Sequence, residues 1–162
     1  MTVTHVHTDP EALTLTLTAE FDADIGRVWK LWADPRQLER WWGPPTYPAT
    51  FVDHVMRPGG SVAYFMTGPD GDRYHGWWRG LIVEEPTRLK FEDGFADATG
   101  KPNPSMPVTT TRVTIGERAS GGTTMVIETT FPSLEAMEQL AKMGMEEGLT
   151  LAVGQIDAIL AG

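Results

Sequence analysis

The sequence predicts a single α+β domain in which one antiparallel sheet is closed by a C-terminal helix. Three observations lead there. An early stretch alternates leucines with threonines, a long central run reads as strands divided by turn signals, and the last thirty residues carry apolar side chains at helical spacing.

The early strand is Ala12 to Phe21, where Leu13, Leu15 and Leu17 alternate with threonines at the period of a half-buried strand. Asp22 or Asp24 then caps a helix whose Val28, Leu31 and Trp32 share one face. Asp34-Pro35 ends it and starts a second short helix carrying Leu38 and Trp41, which Gly43-Pro44-Pro45 stops. The strands that follow are Thr50 to Met56, Ser61 to Thr67, Arg73 to Glu84 and Arg88 to Glu92. Gly68-Pro69-Asp70-Gly71 marks a hairpin between the second and third of these. Phe95 to Pro107, rich in Gly, Pro, Asn and Ser, reads as a long loop that could serve as a lid. Val108 to Glu117 and Thr123 to Phe131 form a last hairpin.

Ser133 is the N-cap expected for the longest helix, with Glu135 and Glu138 suiting its dipole. Leu140, Gly144, Gly148, Leu151, Gln155 and Ile159 lie on one stripe of it. Glycines at Gly144 and Gly148 each cost about 1 kcal/mol relative to Ala in a helix. They imply either a kink or close packing, or space left for a ligand.

At 162 residues, 41% hydrophobic, the chain has the length and composition of one globular domain. Residues 1–10 read as a flexible arm and residues 11–162 as the domain. The chain has no cysteine, hence no disulfide framework. Neither a secretion signal nor a membrane-spanning run is legible, so a cytoplasmic location is expected. With 13 Lys and Arg against 22 Asp and Glu, the net charge of −9 disfavours nucleic acid and anionic membranes as partners.

Val28-Trp29, Trp32, Asp34-Pro35, Leu38 and Arg40-Trp41-Trp42-Gly43-Pro44-Pro45 resemble the opening of the family named after the activator of Hsp90 ATPase, in its single-domain bacterial form. Arg57-Pro58-Gly59-Gly60, the Gly68–Gly71 turn, Pro86-Thr87-Arg88-Leu89 with Phe91, and Gly144-Met145-Glu146-Glu147-Gly148 follow in the same order and spacing. The resemblance implies the START and Bet v 1-like (SRPBCC) superfamily. Its helix-grip fold wraps a curved seven-stranded antiparallel sheet around a long C-terminal helix, with two short helices between strands 1 and 2. Members of the superfamily mostly bind hydrophobic small molecules, and a minority are cyclases or aromatases. Chaperone-activating members carry an additional partner-binding domain that these residues do not include.

On that register, Val52, His54 and Met56 face inward, followed by Val62, Tyr64 and Met66, then His75, Trp77, Arg79, Leu81 and Val83. Leu89, Phe91, Met145, Leu149 and Ala152 complete the lining. A slip of one residue would reverse each strand's assignment. The ligand-contact set is therefore Val52, His54, Met56, Tyr64, Met66, His75, Trp77, Arg79, Phe91, Met145 and Leu149. Trp78, on the opposite parity, would be exposed and could serve a homodimer. Of Trp41 and Trp42, one is expected to pack the short helices and the other to cap the cavity mouth.

His54, His75 and Arg79 are the departures from the family's apolar pattern and the candidate catalytic residues. An inward Arg79 needs a carboxylate such as Glu146, Glu147 or Asp53, water, or an anionic ligand, because a buried unpaired charge costs about 3–5 kcal/mol. Two histidines without a spaced third ligand make a poor metal site, and no cofactor motif is present. Three functions fit: non-catalytic binding of a small hydrophobic or amphipathic molecule, a cyclase-, aromatase- or hydrolase-like enzyme using the cavity His and Arg, or a chaperone-linked interaction module. Binding is the leading expectation.

Overall fold

The computed structural model describes residues 2–162, which form one eight-stranded antiparallel sheet and five helical segments. In chain order these are β1 (Val3–Asp9), β2 (Thr14–Phe21), α1 (Ile25–Ala33), α2 (Pro35–Leu38), β3 (Ala49–His54), β4 (Ser61–Thr67), β5 (Arg73–Glu84), β6 (Arg88–Ala96), β7 (Thr109–Glu117), β8 (Thr123–Thr130), α3 (Leu134–Lys142), α4 (Met145–Val153) and α5 (Ile156–Ala161). The sheet runs β1-β2-β8-β7-β6-β5-β4-β3. Among the described residues no helix is long and apolar enough to cross a membrane.

Strand β2 follows the Leu-Thr alternation, burying Leu15, Leu17, Ala19 and Phe21. The N-terminal stretch read as an arm adds the eighth strand: β1 pairs with β2 from Val3 to Asp9. An edge strand is held by backbone hydrogen bonds to one neighbour and needs few apolar residues, so its sequence carries little strand signal. Only Val3 and Val6 of β1 reach the core.

Asp24 caps α1 by accepting from the Arg27 N–H at 2.8 Å, and Asp34 caps α2 by accepting from Arg36 N–H at 2.9 Å. Pro35 occupies the first helical position of α2, where its missing N–H costs nothing. The two helices pin an aromatic core. Trp32 meets Trp41 edge-on at 4.7 Å, and Trp78 stacks on Phe91 at 4.0 Å.

The C-terminal helix is not continuous. Ser133 caps α3 as expected, but Gly144 at φ +82° separates α3 from α4, and a second interruption at Gly154-Gln155 separates α4 from α5. A left-handed residue cannot continue a right-handed helix, so Gly144 is a break rather than a packing glycine. The break divides the interior. Residues of α1, α2 and α5 fill one half with the aromatic core, while α3 and the start of α4 arch over the other half.

Candidate functional site

That other half is hollow. A cavity of about 280 Å³ lies between the sheet and the α3–α4 junction, just under the range of about 300–1,000 Å³ usual for ligand pockets. Leu140 and Met143 approach it from α3, and Met145, Gly148 and Leu149 from α4. The sheet side offers Tyr64 and Met66 of β4, Asp93 and Phe95 of β6, and threonines of β7 and β8. A Cβ built on Gly148 would find no atom within 4 Å. Of the two readings of the helix glycines, the kink belongs to Gly144 and the open space to Gly148.

The wall is mostly apolar, and its one carboxylate stands out. Asp93 lies on the inward face of β6 in line with Leu89, Phe91 and Phe95. Burial drives the Asp93 carboxyl up to about 7, against weaker opposing effects of the Tyr64 hydroxyl and the Trp78 indole. Burial, and then the charge of Asp93, raises the Tyr64 phenol well above its ordinary value. The Tyr64 hydroxyl donates to Asp93 Oδ1 at 3.2 Å, and the Trp78 indole N–H lies toward the same carboxylate. Trp42 Nε1 and Trp78 Nε1 are buried nearby without completing a hydrogen bond. No Lys or Arg is in the lining.

Of the side chains assigned from sequence, Tyr64, Met66, His75, Met145 and Leu149 come together on this cavity. The rest need correction. On β3 the inward residues are Ala49 and Phe51, and Val52 is 66% exposed. A bulge between Phe51 and Asp53 restores parity, so His54 turns in, but its Nε2 sits 3.0 Å from the Trp32 carbonyl oxygen, away from the cavity. Met56 and Phe91 pack into the aromatic core and do not line the cavity.

Strand β5 is one residue out of the expected register. Its inward residues are Tyr74, Gly76, Trp78 and Gly80, while His75, Trp77 and Arg79 point to the outer face. His75 nonetheless lines the cavity near the start of β5, with its ring 5.7 Å from that of the outward Phe65. Trp77 Nε1 donates to the Phe95 carbonyl at 3.1 Å, and Trp78, expected at the surface, is 2% exposed. Arg79 pairs with Glu92, its cross-strand neighbour, at 2.7 Å in an exposed bridge, not with Glu146, Glu147 or Asp53. Leu81 sits at a bulge on the surface, after which Val83 returns inward.

His54, His75 and Arg79 thus meet at no common point, which removes the geometric basis for catalysis by those three. Among the described residues, no three His, Asp or Glu side chains group as a metal site would require. Asp93 escaped the sequence reading because β6 was ended at Glu92, which left it unassigned between that strand and the loop expected from Phe95, whereas the strand runs on to Ala96. The signal was present: Leu89, Phe91, Asp93 and Phe95 alternate, with a carboxylate in an apolar row.

Residues 22–161 match the family described as activator of Hsp90 ATPase homolog 1-like protein. A crystal structure of protein Ms6760 from Mycobacterium smegmatis is 52% identical, with a TM-score of 0.90 over 98% of this chain and 96% of that one. A solution NMR structure of a protein from Arthrobacter aurescens is also 52% identical, with a TM-score of 0.94 over 99% and 92%. One from Staphylococcus epidermidis, at 25% identity, keeps a TM-score of 0.84 over 98% and 94%. No curated protein matches the chain. With its family match running from the end of β2 to α5, the chain belongs to the activator of Hsp90 ATPase homolog 1-like family.

Proposed function

We propose that this protein binds a small, predominantly apolar molecule in the cavity beneath the α3–α4 junction, without transforming it. The observation that carries this reading is the unfilled volume itself. Protein interiors are close-packed, and a hollow of about 280 Å³ forfeits contacts that larger side chains could supply. Gly148 deepens that cost, since even a methyl group there would meet nothing within 4 Å. The lining suits a guest of variable shape: Met66, Met143 and Met145 are flexible thioethers, and Trp42 and Phe95 are rings. The dispersal of His54, His75 and Arg79 removes the catalytic set read from the sequence and favours the binding reading over it.

The test uses N-phenyl-1-naphthylamine, whose emission rises in apolar surroundings. Saturable enhancement at one site per chain is expected, and Gly148→Phe, which places a ring in the void, abolishes it. Enhancement that never saturates, or that persists unchanged in Gly148→Phe, sinks the reading. Native mass spectrometry of freshly purified protein is the companion measurement, since a co-purifying small molecule would identify the guest directly.

A further inference from the structure

We infer that the guest carries a hydrogen-bond-donating head, a hydroxyl or an amine, which docks on Asp93 while its apolar body fills the space under Gly148. This rests on the reading that the cavity holds a ligand, and it adds the class of ligand held.

Two features of the wall point the same way. The first is geometric. Asp93 projects from β6 into the cavity, and Tyr64 occupies only its Oδ1, so Oδ2 has an unused acceptor position against a mostly apolar wall. Buried acceptors without donors are costly, and a site built around one rejects analogues that cannot pair with it. The second is electrostatic. No Lys or Arg lines the cavity, so a carboxylate, sulfate or phosphate head would meet Asp93 with nothing to neutralise either charge. A head that donates finds a carboxylate acceptor there with no cation competing for it, whereas an anionic head meets an uncompensated like charge. The alcohol and the amine share that chemistry and differ in charge.

The experiment displaces N-phenyl-1-naphthylamine with three matched straight-chain series, alkylamines, alcohols and alkanoates, at mildly alkaline pH where Asp93 is ionised. Amines or alcohols are expected to compete at least about tenfold better than alkanoates of equal length. Asp93→Asn, whose amide can donate as well as accept, should bring that ratio near unity. Tyr64→Phe frees Oδ1 as well and should keep the preference for donors, which guards against a variant that merely misfolds. Equal competition by alkanoates in the unmodified protein overturns the head-group assignment and leaves the cavity reading standing. A probe that never binds in the first place overturns both.

Discussion

The Tyr64 hydroxyl reaches Asp93 by passing across β5 at Gly76. A Cβ on Gly76 would lie 2.4 Å from Tyr64 Cζ, and the bond to Asp93 Oδ1 is 3.2 Å long. Strands β4 and β6 are thereby joined on the inner face over the strand that separates them. The first prediction concerns Gly76→Ala, which displaces the Tyr64 ring and breaks that bond. It is expected to destabilise the fold by about 1–3 kcal/mol in chemical denaturation, as overpacking does. A neutral effect would mean that the ring has room to move aside.

The raised Asp93 carboxyl makes a prediction about pH. Folded Asp93 holds its proton up to about 7, whereas the unfolded chain releases it near the ordinary aspartate value of 3.8. Between those limits folding takes up a proton, so this group's contribution to stability falls as pH rises and reaches its full penalty above 7. Asp93→Asn carries no such penalty. Relative to the unmodified protein, the variant should gain on the order of 1–3 kcal/mol on going from pH 5 to pH 8. The check is urea denaturation of both proteins at both values; a difference independent of pH would place Asp93 in contact with bulk water.

How far the sequence disclosed this arrangement depends on what each face of a strand carries. Strand β2 was legible because its inner face is a row of leucines, and the helix caps at Asp24 and Ser133 were legible because capping needs a short polar side chain at one position. Strand β5 misled for a physical reason. Its inner face includes Gly76 under the Tyr64 ring and Gly80 against the Arg57 carbonyl, so Trp78 is its one large buried residue. The outer face carries Trp77 and Leu81, and period alone cannot tell which face is the core. The bulges in β3 and β5 then shift parity within each strand, an event without a residue signature here. The cavity's position was half visible, through the mid-helix glycines and methionines, while its single carboxylate was lost with the last residues of β6.

The corrected register makes the adjacent tryptophans unequal. Trp78 stacks on Phe91 and meets Trp42 edge-on at 4.9 Å, so Trp78→Ala should cost about 3–5 kcal/mol. Trp77 lies on the outer face with one hydrogen bond to the Phe95 carbonyl, and its truncation should cost about 1–2 kcal/mol. Thermal denaturation of the two variants decides the matter. The reverse order would restore the register read from sequence.

Arg79 supplies an independent check of the same strand. Its bridge to Glu92 is short, at 2.7 Å, but its side chain is 60% exposed. Ion pairs in that setting contribute about 0.2–1 kcal/mol, and Arg79→Ala should lose no more. A loss of several kcal/mol would show that the guanidinium is buried after all.

The two helix glycines yield the last prediction, because the same substitution should act in opposite directions. Gly144 has φ +82°, a conformation that costs an L side chain about 1–2 kcal/mol, so Gly144→Ala destabilises by roughly 1 kcal/mol. Gly148 is inside α4 with helical backbone and no atom within 4 Å of an added Cβ. Gly148→Ala therefore gains helix propensity without a clash and should stabilise by about 0.5–1 kcal/mol. A glycine kept where alanine would be more stable is what a cavity held open for a guest requires, a trade of stability for function. Denaturation of the two single variants measures both signs. Should Gly148→Ala prove destabilising, the space beside it is not free, and the volume assigned to the ligand shrinks with it.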